Sequence, residues 1–173
     1  MNYSKNSVQA RIKNLSAKTG ASANVLLATY FFEAFLYRLS KSDYAENFIF
    51  KGGFYLSSVI GVQNRYTQDL DFKLAGEELE EENLVKIIND IISKNADDNI
   101  SFDFSSIEPI RGEDQYGGFT VSIVGHLENI RQTVNIDIAT GDPITPGSIT
   151  YSYKRLIAED FLTVEARIFM MSI

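Results

Sequence analysis

Polar and apolar positions recur along this chain with two periods, and the periods sort it into helices and strands. Val8, Ile12 and Leu15 fall at helical spacing over residues 7–18, with Gly20 as the stop. Leu27, Phe31, Ala34, Phe35 and Leu39 give residues 24–40 the broad apolar side of a longer helix. FIF at 48–50 reads as a short buried strand running into Lys51, Gly52 and Gly53. FYLSSVIG at 54–61 allows one or two helical turns, closed by Gly61. TQDLDFKL at 67–74 alternates polar with apolar, as a strand with one wet and one buried face does. LVKIINDIISK at 84–94 is an amphipathic helix, and residues 101–110, 118–125 and 133–140 are strand-like. A GDPITP loop, then YSYKRL at 151–156 and a short ending, complete the chain. Helices first, then strands mixed with helices, predict an α+β fold with α/β-like character around one sheet.

Composition bounds this picture without changing it. At 173 residues, 45% hydrophobic and 23% charged, the chain fits one domain. A chain of that length buries roughly 70% of its unfolded surface, so neither disulfide nor structural metal is needed to hold it. The absence of cysteine excludes thiol catalysis and suits a cytoplasmic location. Its N-terminus, MNYSKNSVQARIKNL, reads as a polar helix rather than a leader. The longest nearly apolar stretch, Asn24 to Leu36, is broken by Thr29 and Glu33 and is too short to span a bilayer, so no membrane partner is expected.

The formal net charge of −7 does not draw nucleic acid by itself. Glu77, Glu78, Glu80, Glu81 and Glu82 suit the first turn of a helix, where the dipole favours carboxylates. Lys5, Arg11, Lys13 and Lys18 are expected on a solvated helix face. His126 is the only histidine, which excludes a histidine-rich metal site; a loop or surface position is expected for it. Ser57 and Ser58 lack the context of a nucleophile elbow. The nine tyrosines and twelve phenylalanines are scattered as core residues are, not grouped as a base-stacking platform.

The informative segment is residues 51–72. Side chains at i and i+2 of a strand share a face, so Asp69 and Asp71 project together while Leu70 and Phe72 go inward. Two adjacent carboxylates repel unless a positive charge lies between them, and hard divalent cations take such oxygens together with substrate phosphates. Alone, Asp-x-Asp is common on solvated strand faces. Gly52 and Gly53 add a turn at which backbone N–H groups can approach a phosphate, although they form no Walker motif. In NIDI at 135–138, Ile136 and Ile138 point inward and Asp137 faces the other way. Should that strand lie beside the first, Asp137 joins the pair, and such a carboxylate cluster can hold two metal ions.

These residues resemble the nucleotidyltransferase fold, and more closely the AbiEii/AbiGii abortive-infection toxins. The resemblance is carried by YFFEAFLYRL (30–39), FIFKGG (48–53), RYTQDLDF (65–72), YGGFTVSI (116–123) and NIDIATGDPITP (135–146), within a span from about residue 7 to about 165. It implies a mixed β-sheet flanked by helices, with N-terminal helices over 1–45 and a sheet-containing core over 46–160 of a single domain, 1–173. It implies transfer of a nucleoside monophosphate from a nucleoside triphosphate to an RNA, such as tRNA, or to a protein. Mg2+ or Mn2+ would be held by Asp69, Asp71 and Asp137, with Asp137 helping to activate the acceptor hydroxyl. Gly52 and Gly53 would cradle the triphosphate, with Lys51 and Arg65 as the nearest cations. A cognate antitoxin is the implied protein partner.

The chain departs from that pattern at three places. Phe54 stands where many relatives carry Ser or Thr, and Thr120 where many carry Arg. The sequence also reads as lacking the usual C-terminal helical domain, which would leave apolar surface for self-association. A truncated, catalytically silent binding module of the same fold is the alternative reading.

Overall fold

The structure is a computed structural model and describes residues 3–50, 69–76, 80–110, 117–139, 149–156 and 161–166. Within these, α1 (Lys5–Thr19) and α2 (Ala23–Ser40) form an N-terminal helical hairpin. Ser4 caps α1 by accepting the Ser7 N–H at 3.2 Å, and Ser22 caps α2 by accepting that of Val25 at 3.2 Å. Gly20 ends α1 in the left-handed conformation (φ 81°), returning its N–H to Ser16 O, which is the stop expected of it.

The α2 helix is the centre of the molecule. Leu26, Phe31, Phe32, Phe35 and Leu36 are fully buried, and so are the polar Thr29, Glu33 and Arg38. A helix apolar on one broad side has therefore become one enclosed on nearly all sides, with α1, α3 (Glu81–Ile92) and the sheet around it. The buried charges are matched. Arg38 forks onto Asp98 at 2.8 and 2.9 Å and donates to Ala34 O and Ile100 O, while both Glu33 carboxylate oxygens accept the Leu156 N–H, at 3.0 and 3.1 Å. Burial pushes the Tyr30 phenol, also on α2, up to about 12.

Among the described residues seven strands occur, β1 (Phe48–Phe50), β2 (Asp69–Leu74), β3 (Ile100–Pro109), β4 (Gly118–Leu127), β5 (Ile130–Ala139), β6 (Ile149–Lys154) and β7 (Phe161–Ala166). They form one mixed sheet in the order β3-β4-β5-β2-β1-β7-β6, in which β2/β5 and β1/β7 are parallel and the other pairs antiparallel. One face packs on the helices. Phe72 meets Phe35 and Phe48 edge-on at 6.4 and 5.5 Å, and Phe102 meets Phe31 at 6.4 Å. Gly125 of β4 passes directly under α2, where a Cβ would collide with the Phe31 ring and lie 2.9 Å from that of Phe102.

Three expectations shift. Residues 133–140 are only the second half of β5, which begins at Ile130 and pairs with β4 from Leu127↔Ile130 to Gly118↔Ala139 as one long hairpin. Its turn residue Glu128 takes φ 52°, and its carboxylate accepts the Lys5 N–H at 2.6 Å. The α3 helix starts at Glu81, with Glu81 and Glu82 in its first turn, and buries Leu84, Ile87, Ile88 and Ile91. The sheet continues past residue 160, because Phe161–Ala166 pairs with β6 and, in parallel, with β1. Residues 54–61 lie outside the described residues.

Candidate active site on the β4–β5–β2 face

The alternation that buries Phe72, Ile136, Ile138, Val121 and Ile123 turns their neighbours to the other face of the sheet. Asp71, Asp137 and Asn135, with Thr120 and Ser122, share that face. Pairing then brings residues far apart in sequence into rungs. In one rung Thr120, Asp137 and Asp71 are register partners across β4, β5 and β2; in the next, Ser122, Asn135 and Asp69 are. The adjacency of the two aspartate-bearing strands, which the sequence leaves open, is thus a property of the fold.

Because β2 and β5 are parallel and in register, Asp71 and Asp137 emerge side by side from strands about 4.8 Å apart. Asp71 is exposed and Asp137 half-buried. The Thr120 hydroxyl donates to Asp137 Oδ1 at 2.6 Å, and the Ser122 hydroxyl donates to Asn135 Oδ1 at 2.7 Å. Asp69 takes part here through its backbone register, and its side chain lies outside the described residues, as do Lys51, Gly52, Gly53 and Arg65. Among the described residues, therefore, no group of three or more acidic, His or Cys side chains is placed to hold a metal ion. Two carboxylates on adjacent strands, one steadied by a neutral hydroxyl, are nevertheless a hard-oxygen donor set suited to a divalent cation.

Thr120 and Ser122 were legible only as polar positions in the alternating run GFTVSIVG. Thr120 stands where many relatives carry Arg; in the fold it is a hydrogen-bond donor to Asp137. His126 lies on β4 rather than in a loop, about one-third exposed, and faces Asp103 at 3.1 Å. Six residues of strand, about 20 Å, separate it from the Thr120 rung.

The described residues thus build a mixed sheet flanked by helices, with this carboxylate pair on its central strands. The chain belongs to the AbiEii family, whose model, described as nucleotidyl transferase AbiEii toxin of the type IV toxin–antitoxin system, matches residues 34–173. Among solved structures it is similar to JHP933 from Helicobacter pylori, with 17% identity, a TM-score of 0.47, and coverage of 86% of this chain and 53% of that one. It is also similar to a Helicobacter pylori protein provisionally classed as a nucleotidyltransferase, with 18% identity, a TM-score of 0.48, and coverage of 86% and 56%. The chain thus spans just over half the length of each. No curated protein matches it. No helix among the described residues is long and apolar enough to cross a membrane.

Proposed function

We propose that the chain carries a nucleotidyl-transfer site that uses Mg2+ or Mn2+ and a nucleoside triphosphate, with Asp69, Asp71 and Asp137 as the cation-holding carboxylates. The in-register pairing of Asp71 with Asp137 is the observation that carries this reading. A bound cation would supply charge neutralisation to the triphosphate and acidify an acceptor hydroxyl. Asp137, half-buried and oriented by Thr120, would help activate that hydroxyl by taking its proton. The hydroxyl oxygen then bonds to the α-phosphorus, the bond from that phosphorus to the bridging oxygen breaks, and pyrophosphate leaves with the electron pair. In this proposal Lys51, Gly52, Gly53 and Arg65 receive the phosphates. The acceptor is an RNA, such as tRNA, or a protein, and a cognate antitoxin restrains the activity, a reading supported by the family description.

Isothermal titration of nucleoside triphosphates with Mg2+ into wild type, Asp71→Asn and Asp137→Asn tests this. Expected is binding by wild type and at least a tenfold loss in each variant, since a carboxylate ligand is replaced by a neutral amide. A wild type that binds no nucleoside triphosphate overturns the proposal. Binding without transfer to any RNA or protein acceptor would replace it with a silent nucleotide-binding module.

A further inference from the structure

The β4 strand contributes two hydroxyls to the open face, and each is donated sideways to a β5 residue. Thr120 Oγ1 takes one oxygen of Asp137, and Ser122 Oγ takes the amide oxygen of Asn135. Neither bond is needed to join the strands, because β4 and β5 are already paired through the whole hairpin. Nor does strand propensity require a hydroxyl at position 120, where valine would serve equally well. What the hydroxyls do is fix orientation. A carboxylate held through Oδ1 toward β4 keeps Oδ2 for the β2 side, where Asp71 is the register partner. An amide held through its oxygen turns its N–H donors toward the same side, at the register position of Asp69.

A neutral donor also leaves the charge of Asp137 intact. A lysine or arginine at position 120 would instead add a positive charge beside that carboxylate and offset part of its field. The hydroxyl gives direction without neutralising.

We propose that Thr120 is a positioning residue for the cation seat: its hydroxyl turns Asp137 so that the second carboxylate oxygen faces Asp71, and Ser122 aligns Asn135 in the adjoining rung. The proposal rests on the reading of Asp71 and Asp137 as cation ligands, and outer hydrogen bonds to such ligands commonly change metal affinity by about 10–100-fold.

The test is Mn2+ binding to the full chain, read from the signal of free Mn2+ in electron paramagnetic resonance. The proteins are wild type, Thr120→Val, Thr120→Ala, Thr120→Ser, Asp137→Asn and Thr120→Val/Asp137→Asn. Both variants without a hydroxyl should weaken Mn2+ about tenfold, and Thr120→Ser should stay within about threefold of wild type. In the Asp137→Asn background, Thr120→Val should add less than about twofold, because its effect acts through that carboxylate. Wild-type affinity in Thr120→Val and Thr120→Ala, or an undiminished effect in the Asp137→Asn background, overturns the positioning role while leaving the cation site standing. A wild type that binds no Mn2+ overturns both.

Discussion

The two faces of β4, β5 and β2 come from the same residues in strict alternation, yet they obey opposite rules. On the helix face Val121, Ile123, Ile136 and Ile138 are fully buried, and Phe72 nearly so, in a continuous core with α2 and α3. On the other face Thr120 bonds to Asp137 and Ser122 to Asn135, with Asp71 as the register partner of Asp137, all at partial or full exposure. The helix face fixes the register, because a slip of one residue would put Ile136 and Ile138 in water and Asp137 in the core. The polar face inherits its geometry from that constraint. Two like charges stand in register not because they attract but because the apolar residues beside them leave no other pairing.

The largest test of this asymmetry compares neighbours on one strand. Phe72→Ala removes a ring that packs on Phe35 and Phe48, and should cost about 3–5 kcal/mol of unfolding free energy in urea. Asp71→Ala, one residue earlier and exposed, should cost less than about 1 kcal/mol. Comparable losses for the two would mean that the faces are not divided as described.

This division is also where the sequence was most readable. Alternation separated inward from outward residues correctly at Asp71 and Phe72 and in NIDI, and periodicity located α1, α2, α3 and most strands to within a few residues. Pairing was not readable. Nothing local in FLTVEA shows that it lies parallel to β1, more than a hundred residues earlier, so by sequence it is only part of a short ending. Enclosure of α2 was hidden for the same reason: Arg38 and Glu33 look like surface residues until Asp98 and the Leu156 N–H meet them. At the site, the spacing Asp69–Asp71 was local and legible. The Asp71–Asp137 register and the bond from Thr120 were not, since both depend on strand partners. For the membership and chemistry of the proposed triad, resemblance to a family supplies what spacing does not.

A second comparison uses two β4 residues three apart on opposite faces. Gly125→Ala pushes a methyl group into the Phe31 and Phe102 rings and should destabilise by about 1–3 kcal/mol, seen as a lower thermal midpoint. Ser122→Ala loses one hydrogen bond, to half-buried Asn135, and should cost about 1 kcal/mol. A Gly125→Ala variant as stable as wild type would show that α2 can lift from the sheet without loss, and the close approach would no longer explain the glycine.

The smallest effect is the most discriminating. In metal-free buffer Asp137→Asn removes one of two like charges in register while the amide oxygen can still accept from Thr120, so stability should hold or rise by a few tenths of a kcal/mol. Millimolar Mn2+ should reverse the order. A ligand that binds only the folded state raises stability in proportion to the logarithm of its concentration over Kd, so wild type should gain several degrees in thermal midpoint and the variant much less. The crossing of the two curves is the signature of a face arranged for binding at some expense of stability. If Asp137→Asn is destabilised by more than about 1 kcal/mol without metal, the carboxylate is a structural partner of β4. Equal Mn2+ shifts in both proteins would place the cation away from Asp137.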